Sequence, residues 1–103
     1  MNTFHKLSIK NRIQETANAV SLVFEVPENL KTNFSFKAGQ YITLKTTING
    51  SEIRRAYSIC SAPESGELKI AIKTVDNGVF STYATSQLKV GDVLEVHEPE
   101  GKF

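Results

Sequence analysis

The stretch LKTTINGSEIRRAYS, residues 44–58, decides the fold. Asn49-Gly50 stands between two β-forming runs, and both residues tolerate positive φ, so a tight β-hairpin is predicted. Outward from it, apolar residues alternate with period two. VSLVFEV puts Val20, Leu22, Phe24 and Val26 on one face. YITLKT offers Ile42 and Leu44, LKIAIKTV offers Leu68, Ile70 and Ile72, and VLEVHE offers Leu94 and Val96. A less regular strand is expected near residues 6–14. Pro27-Glu28-Asn29, Ala38-Gly39 and Glu64-Ser65-Gly66 are the turn signals between these runs. Residues alone predict an all-β antiparallel barrel or sandwich.

One segment departs from alternation. In GVFSTYATSQLKVGD, residues 78–92, Phe80, Tyr83, Ala84 and Leu88 recur at helical spacing. A helix of about two turns is expected between the fifth and sixth strands. Gly78 would precede it, Gly91 would follow it, and Lys89 would sit near the carbonyls of its last turn.

The 103 residues fit one domain with its own core. Apolar residues make up 40% and charged residues 22%, with a net charge of +1. That balance argues against a non-specific polyanion binder, while leaving room for one local anion site. The single cysteine, Cys60, excludes an internal disulfide and fits a reducing compartment; its thiol is expected to be buried. One Cys with two distant histidines, His5 and His97, would not make a zinc site. The N-terminal residues lack the apolar segment of a signal peptide, and no run is long enough to span a membrane. A cytoplasmic protein without membrane or nucleic-acid partners is expected.

The chemistry concentrates in RRAYSICSAP, residues 54–63. On a strand, Arg55 and Tyr57 share one face, while Arg54, Ala56 and Ser58 share the other. Arg55 offers a donor fork suited to phosphate, Tyr57 a flat apolar surface with a hydroxyl, and Ser58 a small donor. Read blandly, the segment is a sheet with a wet arginine face. The second candidate is Gly78-Val79-Phe80-Ser81, where a glycine-led helix start would present unpaired amides to an anion. Ser81 there would either bind a phosphate oxygen or act as a first-turn cap.

Together these pieces resemble the flavin-binding barrel of the ferredoxin–NADP reductase family, over essentially the whole chain. FKAGQYITL (36–44), RAYSICSAP (55–63), LKIAIKTV (68–75), GVFSTYATSQLKVGD (78–92) and EPEGKF (98–103) carry the resemblance. The N-terminal TFHKLSIKNRIQETANAVSLVFEVP and Arg54-Arg55 are most similar to the reductase components of phenylacetyl-CoA oxygenases.

The resemblance implies a six-stranded antiparallel Greek-key barrel with one short helix between its fifth and sixth strands. It implies an FAD cofactor, with FMN as an alternative. Arg55 would pair with the pyrophosphate. Tyr57 would lie against the isoalloxazine and ribityl chain, with Ala56 beside it. Ser58 would approach the ring nitrogen that accepts hydride. The backbone of Ala71, Ile72 and Lys73 would line the cofactor, and Gly78, Val79, Phe80 and Ser81 would hold phosphate.

The family continues into a nicotinamide-binding domain, and its oxygenase reductases add a [2Fe–2S] domain. This chain stops at Phe103, and one cysteine cannot supply the four ligands of a cluster. Residues 1–103 are therefore expected to be the flavin domain of a longer NAD(P)H reductase feeding an oxygenase, inactive alone. The competing expectation is a cofactor-free binding module of the oligonucleotide-binding barrel type.

Overall fold

Alternating apolar residues build six strands in the computed structural model, which describes residues 4–75 and 78–101. They are β1 (Phe4–Thr16), β2 (Ala19–Glu25), β3 (Tyr41–Ile48), β4 (Ser51–Ser58), β5 (Leu68–Lys73) and β6 (Val93–His97). One helix, α1 (Val79–Ser86), lies between β5 and β6. All strand pairs are antiparallel, in the order β4-β3-β6-β1-β2-β5. The non-sequential pairings β3–β6, β1–β6 and β2–β5 make the Greek-key path, and the sheet curls into a half-barrel, consistent with the expected barrel. The hairpin signal holds: Asn49 has φ 50° and Gly50 has φ 81°, the left-handed pair that a two-residue hairpin turn requires.

The inward residues make one core. Leu7, Ile9, Val20, Leu22, Phe24, Ile42, Leu44, Leu68, Ile70, Ile72, Leu94 and Val96 are all buried in it. Phe80, Ala84 and Leu88 join from the helical segment. Two short 3₁₀ turns, Glu28–Leu30 and Pro63–Ser65, were not anticipated from the pattern. The first leads into Phe34, whose buried ring closes one end of the core. Lys89 lies beyond the end of α1 and pairs instead with Asp92 at 3.5 Å.

β1 is longer than expected and irregular for a physical reason. Its register against β2 shifts between Ile9 and Asn11 and again between Gln14 and Thr16. Each bulge inserts a residue and reverses which alternate side chains face inward. Before the first bulge Leu7 and Ile9 point to the core; after it Arg12 pairs with the fully buried Leu22.

The residues after β6 are tied back to the barrel. Tyr41 and Glu100 exchange backbone hydrogen bonds of 2.9 and 3.0 Å. His97 Nδ1 lies 2.8 Å from the Glu100 carboxylate. Glu98 accepts hydrogen bonds of 3.0 Å from His5 Nε2 and Asn33 Nδ2. These two bonds, the His5 contribution being larger, hold the Glu98 carboxyl below its ordinary range. A carboxylate depressed by folding adds stability above its unfolded pKa, and loses it as pH falls through the folded value. The pair is solvent-accessible, so the effect should stay below about 1 kcal/mol. Melting curves through the acid range should fall less steeply for Glu98→Gln than for the parent; equal slopes would assign the acid sensitivity elsewhere.

Candidate functional site

The curled sheet leaves its edge strands, β4 and β5, facing one another without forming a continuous ladder. Among the described residues they meet at the Ile59–Ile70 bridge and, just past β4, at two hydrogen bonds: Cys60 N–H to the Lys69 carbonyl, 2.9 Å, and Lys69 N–H to Ser61 Oγ, 3.3 Å. Beyond that closure, β4 back to Ser51 and β5 onward to Lys73 are paired on one side only. The gap between them opens toward α1.

β4 places its side chains as the alternation predicts. Arg55 pairs with the core residue Leu44, and Tyr57 pairs with Ile42, so both belong to the inner face. Arg55 is nevertheless exposed, because its strand lies at the gap. Its Nη1 donates to the Arg54 carbonyl at 2.7 Å, and among the described residues no carboxylate pairs with it. Arg54 is employed differently. Its Nε meets Glu52 at 2.9 Å, and its guanidinium sits 5.3 Å from the centre of the Phe4 ring. Two adjacent arginines thus have separate tasks, one satisfied on the outer face and one available at the gap.

Tyr57 is half-buried, with its ring 5.8 Å from that of Phe80, which in turn lies 6.4 Å from Tyr83. This aromatic line joins β4 to α1. Burial pushes the Tyr57 phenol above its ordinary pKa, and the positive charge of Arg55 opposes the shift. The phenol therefore remains a proton donor at neutral pH. Ser58 is exposed, and among the described residues no side-chain hydrogen bond engages its hydroxyl. Ala56 is exposed on the outer face.

Across the gap, Ala71 and Lys73 are exposed, while the side chain of Ile72 is fully buried. Ile72 can reach a ligand only through its backbone. At the start of α1, Val79 is exposed, whereas Phe80 and Ser81 are buried. Phe80 and Ser81 thus offer amides rather than side chains. The Ser81 hydroxyl accepts from Val75 N–H at 3.1 Å and donates to the Gly78 carbonyl at 3.3 Å. These two hydrogen bonds to the loop fix the entry into the helix. A Cβ on Gly78 would collide with Ser81 Oγ and lie 2.9 Å from the Val75 carbonyl oxygen.

A groove of about 590 Å³ separates the β3–β4 hairpin from α1. Thr47, Ile48 and Asn49 form one wall, and Gly78, Val79, Thr82, Tyr83 and Gln87 the other. Thr82 and Gln87 were not singled out in the sequence. Their spacing from Val79, three and eight residues along a helix, was the signal that put them on one face. Cys60 is a correction: its thiol is exposed, because Ile59 takes the inward position and turns both neighbours outward.

The arrangement can therefore do three things. It offers an exposed guanidinium and helix amides to an anion, an aromatic surface to a planar group, and an exposed hydroxyl to a polar ring edge. Residues 6–103 match the family described as the oxidoreductase FAD-binding domain. The chain belongs to that family, and so is an FAD-binding domain of flavin-dependent oxidoreductases. It is 42% identical over its full length to one of the subunits that make up the 1,2-phenylacetyl-CoA epoxidase of Escherichia coli, and it spans 29% of that relative. Phthalate dioxygenase reductase, described as a modular structure for electron transfer from pyridine nucleotides to [2Fe–2S], superposes with a TM-score of 0.77 at 27% identity. That match covers 97% of this chain and 30% of the reductase. A ferredoxin NADP+ reductase from Neisseria gonorrhoeae, with bound FAD and NADP, shares the fold with a TM-score of 0.81 at 24% identity, covering 96% of this chain and 39% of its own. Among the described residues no helix is long and apolar enough to cross a membrane.

Proposed function

We propose that this domain holds FAD in the gap between β4 and β5, within a reductase that carries electrons from NAD(P)H to an oxygenase. The observation that carries the reading is Arg55, an inner-face arginine that no carboxylate pairs with among the described residues, at an open sheet edge, on the strand that also bears Tyr57 and Ser58. The fit is physical as well as topological. Gly78 lets the Val75 carbonyl and the Ser81 hydroxyl pack against its backbone, and so fixes the loop beside the amides that open α1.

In this reading Arg55 offsets the pyrophosphate charge, and the amides of Val79, Phe80 and Ser81 donate hydrogen bonds to the phosphate oxygens. Tyr57 supports the ring and ribityl chain with its face, and Ser58 orients the polar edge of the ring. The backbone edge of Ala71, Ile72 and Lys73 completes the other side of the gap. Bound flavin supplies the chemistry, accepting electrons as a pair and releasing them singly. Ser58 and Tyr57 set where the ring lies; Arg55 and the helix amides set where the phosphates lie.

The wider assignment rests on the relatives. Their length and names support further nicotinamide-binding and [2Fe–2S] domains in the full protein, electron delivery to oxygenase components, and a role in phenylacetyl-CoA ring oxidation.

A visible spectrum of the purified protein, repeated with excess FAD and then FMN, tests the reading. A bound-flavin spectrum with preference for FAD is expected. A protein extended through the following domains that takes up neither flavin would overturn it.

A further inference from the structure

Arg12 has no part in the site just described, yet it reaches the helix that opens onto it. The bulge after Ile9 turns its side chain to the inner side of β1. From there Nη2 donates to the Thr85 carbonyl, in the last turn of α1, at 2.7 Å. Carbonyls in that turn lack helical partners and carry the negative end of the dipole. The helix has no basic residue of its own in that turn. Arg12 supplies the missing cation from another strand. Thr85 is also the meeting point of a second tie: its hydroxyl lies 2.9 Å from that of Thr74, just after β5. Among the described residues the buried Arg12 Nε has no hydrogen-bond partner, which is the cost of carrying this side chain inward.

We propose that Arg12 is a positioning residue for flavin binding: it locks the C-terminal end of α1, and so aims the helix's N-terminal amides at the phosphates. This rests on the FAD reading above. Arg12 touches no ligand group itself; it acts through the helix. Its loss should therefore weaken ligands in proportion to their phosphate contacts, and spare a flavin that has none.

The test is the affinity of the full chain for FAD and for riboflavin, by fluorescence titration, in the parent and in Arg12→Met, Arg12→Lys and Thr74→Val. Arg12→Met should raise the FAD Kd about fivefold, the effect of losing one charge-assisted hydrogen bond in part. Riboflavin affinity should change less than about twofold, and Arg12→Lys should recover part of the FAD loss. Thr74→Val, which cuts the second tie, should give the same FAD-selective pattern more weakly, and stands in if Arg12→Met does not fold. Equal weakening of both flavins would mean general destabilisation and would overturn the proposal, as would an unchanged FAD Kd. A parent protein that binds no FAD even when extended through the following domains would instead sink the site reading on which it rests.

Discussion

Arg55→Ala should raise the FAD Kd by roughly thirty- to a hundredfold, while Arg54→Ala should change it by less than about threefold. The larger figure corresponds to losing charge-assisted hydrogen bonds worth about 2–3 kcal/mol. The two residues are neighbours of the same type, so net charge and sequence position are controlled for. What differs is the face. Arg55 shares the inner face with Leu44 at the gap, and among the described residues only a backbone carbonyl engages it. Arg54 is held outside by Glu52 and Phe4. Titration of flavin fluorescence in the two variants separates them. Equal losses would mean that Arg54 reaches the phosphates as well, despite its pairing with Glu52.

Gly78→Ala should cost stability and affinity together. Gly78 has φ −80°, so its backbone suits any residue; the constraint is space. An added methyl would meet the Val75 carbonyl oxygen and the Ser81 hydroxyl, which itself bridges Val75 and the Gly78 carbonyl. Carbonyl oxygen is backbone and cannot swing away as a side chain can. Overpacking of this kind costs about 1–3 kcal/mol. Relief comes by moving the start of α1, which displaces the amides offered to phosphate. Thermal melting should drop by several degrees, and FAD affinity should fall about tenfold or more. A melting temperature and affinity both unchanged would mean that the loop before the helix yields freely.

The strands were legible because burial has one side in an antiparallel barrel, and the period-two pattern records it. Ile42, Leu44, Ile70 and Ile72 needed nothing more. The 3₁₀ turns left no such trace, since three residues cannot express a period. Phe34 consequently went unnoticed as a core residue. Of the candidate site, the face shared by Arg55 and Tyr57 was readable, because it depends only on alternation within β4. The exposure of Cys60 was not, because it depends on where the strand ends and which neighbour turns inward. Arg12 was hidden more deeply. Its direction is set by a bulge, and a bulge is decided by pairing with β2 rather than by the residues of β1 alone.

The gap between β4 and β5 has a cost that binding affinities do not measure. Two strand edges with unanswered amides and carbonyls are templates for any extended chain that drifts past. Neither edge hides behind a proline in the open stretches 51–58 and 71–73, although Arg54, Arg55 and Lys73 place charge there. Those cations act as gatekeepers against edge-to-edge association. In the flavin reading a cofactor seated at the seam would cover both edges, so the empty and the filled domain would differ in how readily these strands pair with a foreign chain.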